Sequence, residues 1–146
     1  MKGGVPTDPT SREPRDHATG RVDPDTREAL AHGVALFAGG SYFEAHEVWE
    51  DAWRLESGEV RLLLQALVQM AGGFVKAMRD ASAAGTVKLL EASLENLALL
   101  PDELAGVSVK EVRAQLLPTA EAARRWRSGA AERLEAAPPR IRLRAT

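Results

Sequence analysis

Apolar residues recur along most of this chain at the three- and four-residue spacing of amphipathic helices. Leu30, Val34 and Phe37 share one face, which predicts a first helix from Asp25 to Phe37, ended by Gly39-Gly40. Ser41 and Glu44 have the capping-box spacing and open a second helix running to about Glu56, with Ser57-Gly58 as the turn after it. A third, from Glu59 to about Asp80, is apolar around most of its circumference, the mark of a central, buried helix. Gly85 and Thr86 introduce a fourth, striped by Val87, Leu90, Leu94 and Leu97, which runs to Leu100 and is stopped by Pro101. Ser108 and Glu111 repeat the capping-box spacing and open a fifth, which Pro118 is expected to break or kink before Trp126.

Outside these stretches the pattern stops. Residues 1–22 hold Gly3, Gly4, Pro6, Pro9 and Pro14 among charges and read as a disordered arm. Residues 23–130 form the helical bundle domain, and 131–146 an extended basic tail. In that tail Ile141 and Leu143 alternate with arginines from Pro138 to Thr146, a pattern suited to lying across the body. The fold class is therefore all-α: a compact bundle of about five helices around a central apolar one, with a flexible N-terminal arm and an extended C-terminal tail. No long-range repeat marks a solenoid.

Composition narrows the chemistry. The 146 residues suffice for one domain with one core, and 45% are apolar against 27% charged, an ordinary globular balance. Cysteine is absent, which removes disulfides, thiolate nucleophiles, zinc fingers and iron–sulfur sites. Met1 to Gly20 lacks a signal-peptide apolar core, and no apolar run approaches the roughly 20 residues of a membrane span, so a soluble cytoplasmic protein is expected. The net charge of −2 is unevenly spread. Between Asp23 and Glu59 nine acidic residues face only Arg27 and Arg54, while seven arginines lie beyond Glu121. Solvated faces are the plainer reading of this asymmetry, and steering of a partner or of self-association the sharper one. A homodimer is the expected form of any assembly.

The densest chemistry lies in Tyr42-Phe43-Glu44-Ala45-His46-Glu47-Val48-Trp49-Glu50-Asp51-Ala52-Trp53. At about 100° per residue, Tyr42, Ala45, Trp49, Ala52 and Trp53 form an apolar face, and Glu44, Glu47, Asp51 and Arg54 a polar one. His46 and Glu50 lie between, four apart and so neighbours on adjacent turns, where contact favours the charged pair. The third helix carries a matching polar stripe of Gln65, Gln69 and Lys76, with Gly72 on the same side. If the two helices pack antiparallel, His46 and Glu50 face that stripe across a small pocket flanked by aromatic rings.

Tyr42, His46, Glu47, Glu50, Trp53, Gln65, Gln69 and Lys76 are therefore the candidate ligand-binding residues. His46 and Glu50 offer two ligands to a divalent metal, one short of the usual protein set, and His32 or His17 would have to complete it. The second histidine of the metalloprotease motif is missing, and Phe43 stands where a di-iron bundle has glutamate. No nucleophile or oxyanion motif accompanies the pair, so an enzyme is not the favoured reading, and no cofactor is expected beyond such a metal. A packing network that fixes how the helices meet is the competing account. Gly72-Gly73 inside a helix suggests close approach of another helix or of a ligand, helix packing being the plainer reading. Arg124, Arg125 and Arg127 come without a nucleic-acid recognition motif, and nucleic acid is not an expected partner.

The run Leu36-Phe37-Ala38-Gly39-Gly40-Ser41-Tyr42-Phe43-Glu44-Ala45-His46-Glu47-Val48-Trp49-Glu50, followed by Trp53, resembles the signature of a bacterial helical family. So does Leu64-Gln65-Ala66-Leu67-Val68-Gln69-Met70-Ala71. The family is domain of unknown function 309, and the resemblance covers about Asp25 to Leu100. It implies a compact, mainly helical bundle and no particular activity, substrate or cofactor. Phe37 to Ala52 is more loosely similar to the first helix of a tetratricopeptide repeat; one such unit without clear successors makes no repeat array but keeps a protein-interaction role open. The expected function is a binding module with the second- and third-helix pocket as its site, set against a self-associating structural domain.

Overall fold

The computed structural model describes residues 22–144. The expected arm over residues 1–22 lies outside them except for its last residue, as do His17 and the final two residues of the tail. Among the described residues five helices and one small hairpin succeed one another in order.

The first helix, α1, spans Pro24–Ala38. Asp23 caps it by accepting the Asp25 N–H at 2.9 Å, and Pro24 sits in the first turn, where its missing N–H costs nothing. After Gly39-Gly40, α2 spans Tyr42–Leu55. A turn at Glu56 and Ser57 leads into α3, Gly58–Met78, the longest helix. Then α4 spans Ala83–Leu97, beginning and ending earlier than the sequence suggests. Ser82 is the reason for the early start, because its hydroxyl accepts the Gly85 N–H at 3.0 Å and caps the helix there.

The next element leaves no trace in the hydrophobic pattern. Strands β1 (Glu103–Leu104) and β2 (Val107–Ser108) form an antiparallel hairpin over a turn at Ala105 and Gly106, both with positive φ. Helix α5, Val109–Arg127, then runs unbroken through Pro118. Pro118 and Ala114, whose carbonyl loses its helical donor, are both exposed, so the loss falls on the solvent side of the helix. Neither Ser41 nor Ser108 forms the side-chain cap that its spacing predicts, and Glu111 pairs with Arg142 of the tail instead.

Side-chain bridges fix the helices as an up-and-down stack. Leu30 and Gly33 of α1 meet Trp49 of α2, and Phe37 meets Tyr42. Tyr42 at the start of α2 stacks on Phe74 near the end of α3, with ring centroids 5.2 Å apart. At the other end Arg61 of α3 donates to the Trp53 carbonyl at 3.3 Å, so the two helices are antiparallel. Ser93 of α4 donates to the Ala66 carbonyl at 2.7 Å, and Arg124 of α5 pairs with Glu91 at 2.9 Å.

The core is built around α3, whose buried residues include Leu63, Leu64, Leu67, Met70 and Phe74. By length and composition α3 is apolar enough to cross a membrane, which corrects the expectation that no stretch approaches that length. Here its apolar surface is packed under α2 and α4. The glycine pair serves that packing: a Cβ on Gly73 would lie 2.7 Å from Leu90 Cδ2, and one on Gly72 3.3 Å from Leu89 Cδ1. The tail lies across the hairpin and α5, with Leu143 bridging Val107 and the Arg144 N–H donating to the Gly106 carbonyl at 2.7 Å.

Candidate functional site

Trp49 sets the rotation of α2. Its fully buried indole lies against Gly33 and directs Ala45, Trp49 and Ala52 into the core, which leaves Glu44, Glu47, Asp51 and Arg54 exposed. His46, Glu50 and Trp53, at spacings of four and three, fall on the border between these faces and are half-buried.

His46 leans toward α3 at Gly72: its Cδ2 is 4.0 Å from where a Gly72 Cβ would stand. Gly72 is one turn from both Gln69 and Lys76, so His46 lies on the polar-stripe side of α3. Its ring stacks on Phe43 at 6.0 Å with 18° between planes, and the Arg79 guanidinium lies 4.9 Å from the Phe43 ring centre. At the far end of the strip, the Arg61 guanidinium covers the Trp53 ring at 4.1 Å.

The expected partners are not the observed ones. Glu50 approaches Arg54 at 3.7 Å rather than His46, and Arg54 also pairs with Asp51 at 2.8 Å. Gln69 turns to α4, accepting from the Asn96 amide at 2.8 Å, and Lys76 lies 3.5 Å from Asp80. Gln65 is half-buried and Glu47 is exposed. Tyr42 belongs to the aromatic core, stacked on Phe74 and edge-on to Phe37 at 5.1 Å, and its burial raises the phenol pKa above the ordinary 10.0.

What distinguishes the strip is what its rings leave unpaired. Among the described residues, three buried side-chain nitrogens have no hydrogen-bond partner: His46 Nδ1, Trp53 Nε1 and Arg113 Nε. Two of the three lie on this one strip of α2, two turns apart, with the Glu50 carboxylate between them. Leaving such a group unpaired costs about 1–3 kcal/mol.

Residues 30–89 match a family model described as "Domain of unknown function (DUF309)". Over those residues, about two-fifths of its length, the chain is similar to that family. No curated protein matches it. The DUF309 segment runs from the middle of α1 into α4 and contains every candidate residue of the strip, while Asn96, the hairpin, α5 and the tail lie beyond it.

Among the described residues no group of three His, Asp or Glu side chains is placed to hold a metal, so His46 and Glu50 stand without a third such ligand. His32 is exposed on α1 and lines a hollow between α1 and α2 with Asp25, Glu28 and Asp51. Two further hollows involve the tail, and none of the three is lined by His46, Glu50, Trp53, Gln65 or Gln69.

Two contacts have no counterpart in the sequence pattern. Thr26 donates its hydroxyl to Glu56, and both side chains are buried where α1 begins and α2 ends. The Gln115 amide clamps the backbone of Arg140 in the tail. Neither leaves a periodic signal, because each joins residues far apart in sequence.

Proposed function

We propose that the DUF309 segment is a binding module that recognises a small polar ligand on the strip formed by His46, Glu50 and Trp53 of α2 and the Gln65–Gln69 edge of α3. The observation that carries this reading is the pair of unpartnered ring nitrogens, His46 Nδ1 and Trp53 Nε1, on one helix face. An indole N–H can only donate, so the ligand supplies an acceptor to Trp53. Glu50 adds a carboxylate, and the Phe43 and Trp53 rings supply flat faces. Arg61 and Arg79 are exposed and lie over those rings, so a ligand reaching the buried Trp53 nitrogen displaces Arg61 and its bond to the Trp53 carbonyl. No catalytic step is part of the proposal, and the cytoplasm is its proposed setting.

A thermal-shift panel of divalent metals and common metabolites tests it, with wild type, His46→Gln and Trp53→Phe run side by side. A ligand at about 100 times its Kd stabilises the native state by about 2.7 kcal/mol, a shift of roughly 8 °C for a domain of this size. The proposal expects such a shift in wild type, reduced in both variants. A compound that shifts all three equally does not bind at the strip.

A second reading rests on Phe43 and Met78, which are 41% and 61% exposed at the same end of the antiparallel α2–α3 pair. That end offers a surface for a second copy. Sedimentation of wild type beside Met78→Lys tests it: a dimer lost in the variant favours self-association there, and a strict monomer at high concentration excludes it.

A further inference from the structure

Helix α1 stands at one edge of the stack and α5 at the other, and the tail crosses the gap between them. In that seam the chain forms a hollow of about 760 Å³, within the general size range of roughly 300–1,000 Å³ for ligand sites. One wall is Val34, Phe37 and Ala38 of α1, and Ile141 of the tail supplies a further apolar surface.

The polar groups around it are mostly committed to one another. Glu111 pairs with Arg142. The Gln115 amide is used at both ends, its Nε2 donating to the Arg140 carbonyl at 2.9 Å and its Oε1 accepting the Arg140 N–H at 2.8 Å. That clamp fixes the backbone of Arg140, a lining residue whose exposed side chain has no ion-pair or hydrogen-bond partner among the described residues. An apolar wall beside an arginine anchored by its backbone and free at its side chain complements a carboxylate on an apolar body, since arginine binds carboxylates by paired, charge-assisted hydrogen bonds. An ammonium ligand would meet only Glu111, which Arg142 already neutralises.

We infer that this seam binds a small carboxylic acid with an apolar body, its carboxylate on Arg140 and its apolar part along Val34, Phe37 and Ile141. The site is separate from the α2–α3 strip and does not depend on that reading.

Methyl-detected NMR titration of the full chain tests the inference, with octanoate and phenylacetate as probes and acetate and octylamine as controls. Saturable shifts at the Val34 and Ile141 methyls are expected with at least one of the two acids, at concentrations where neither control moves them. Octanoate alone identifies a chain and phenylacetate alone a ring. Arg140→Gln is expected to weaken the bound acid about tenfold or more. Ala38→Phe, which places a ring at an exposed position on the hollow's wall, abolishes binding while the melting temperature holds. The inference is overturned if neither acid gives a saturable shift at those methyls, if octylamine binds as well as the acids, or if Arg140→Gln binds like wild type.

Discussion

Trp49 is the largest fully buried side chain, and its fit depends on having no side chain opposite it. A Cβ on Gly33 would stand 2.6 Å from Trp49 Cδ1 and closer still to Nε1 and Cε2, all in a rigid ring that cannot yield. Gly33→Ala is therefore expected to destabilise the protein by about 3 kcal/mol, at the upper end of overpacking costs, as read from urea unfolding. Gly39→Ala meets only ordinary contacts at 3.5 Å and stays within about 0.5 kcal/mol of wild type. Tyr42 gives a pH signature. Its folded-state pKa is raised by burial, so the folded protein holds the phenol proton more tightly than the unfolded chain does. That contribution is present in full below the ordinary 10.0 and is lost as pH rises through the folded value. Denaturant unfolding from pH 8 to 11 should show a loss of stability at the alkaline end that is smaller in Tyr42→Phe.

The elements separate what the sequence can say from what it cannot. The stripes of α1 and α3 are plain because one helix face must be buried, and the 100° geometry of α2 correctly puts Ala45, Trp49 and Ala52 inside. The start of α4 is harder to read because Gly85 looks like a boundary, whereas the Ser82 hydroxyl caps the helix three residues earlier. Ser82→Ala should cost about 1 kcal/mol and fray the first turn of α4, which amide hydrogen exchange at Gly85 and Thr86 would report. The hairpin is invisible because strands of two residues have no period to read. The polar strip is legible as a face, but its pairings are not. Gln69 reaches Asn96 and Glu50 turns to Arg54 because helix placement, rather than spacing along the chain, decides which partner is nearest.

At the scale of the whole molecule, the chain is a stack of five helices about α3, with the seam between α1 and α5 crossed by the tail. Contacts of Leu143, Arg144 and Gln115 hold that tail from its backbone. Deleting residues 138–146 should lower the melting temperature by several degrees and raise hydrogen exchange first in the hairpin and α5, leaving α2 and α3 protected. On α2 and α3, the proposed binding role of the strip of His46, Glu50 and Trp53 rests on the ring nitrogens that it leaves unpaired. Equilibrium urea unfolding of Trp53→Phe, without ligand, measures this most directly. A stability equal to wild type or slightly higher is expected, because the substitution removes a buried donor that has no partner. A loss of about 2 kcal/mol or more would contradict it, and would assign the strip to packing rather than recognition.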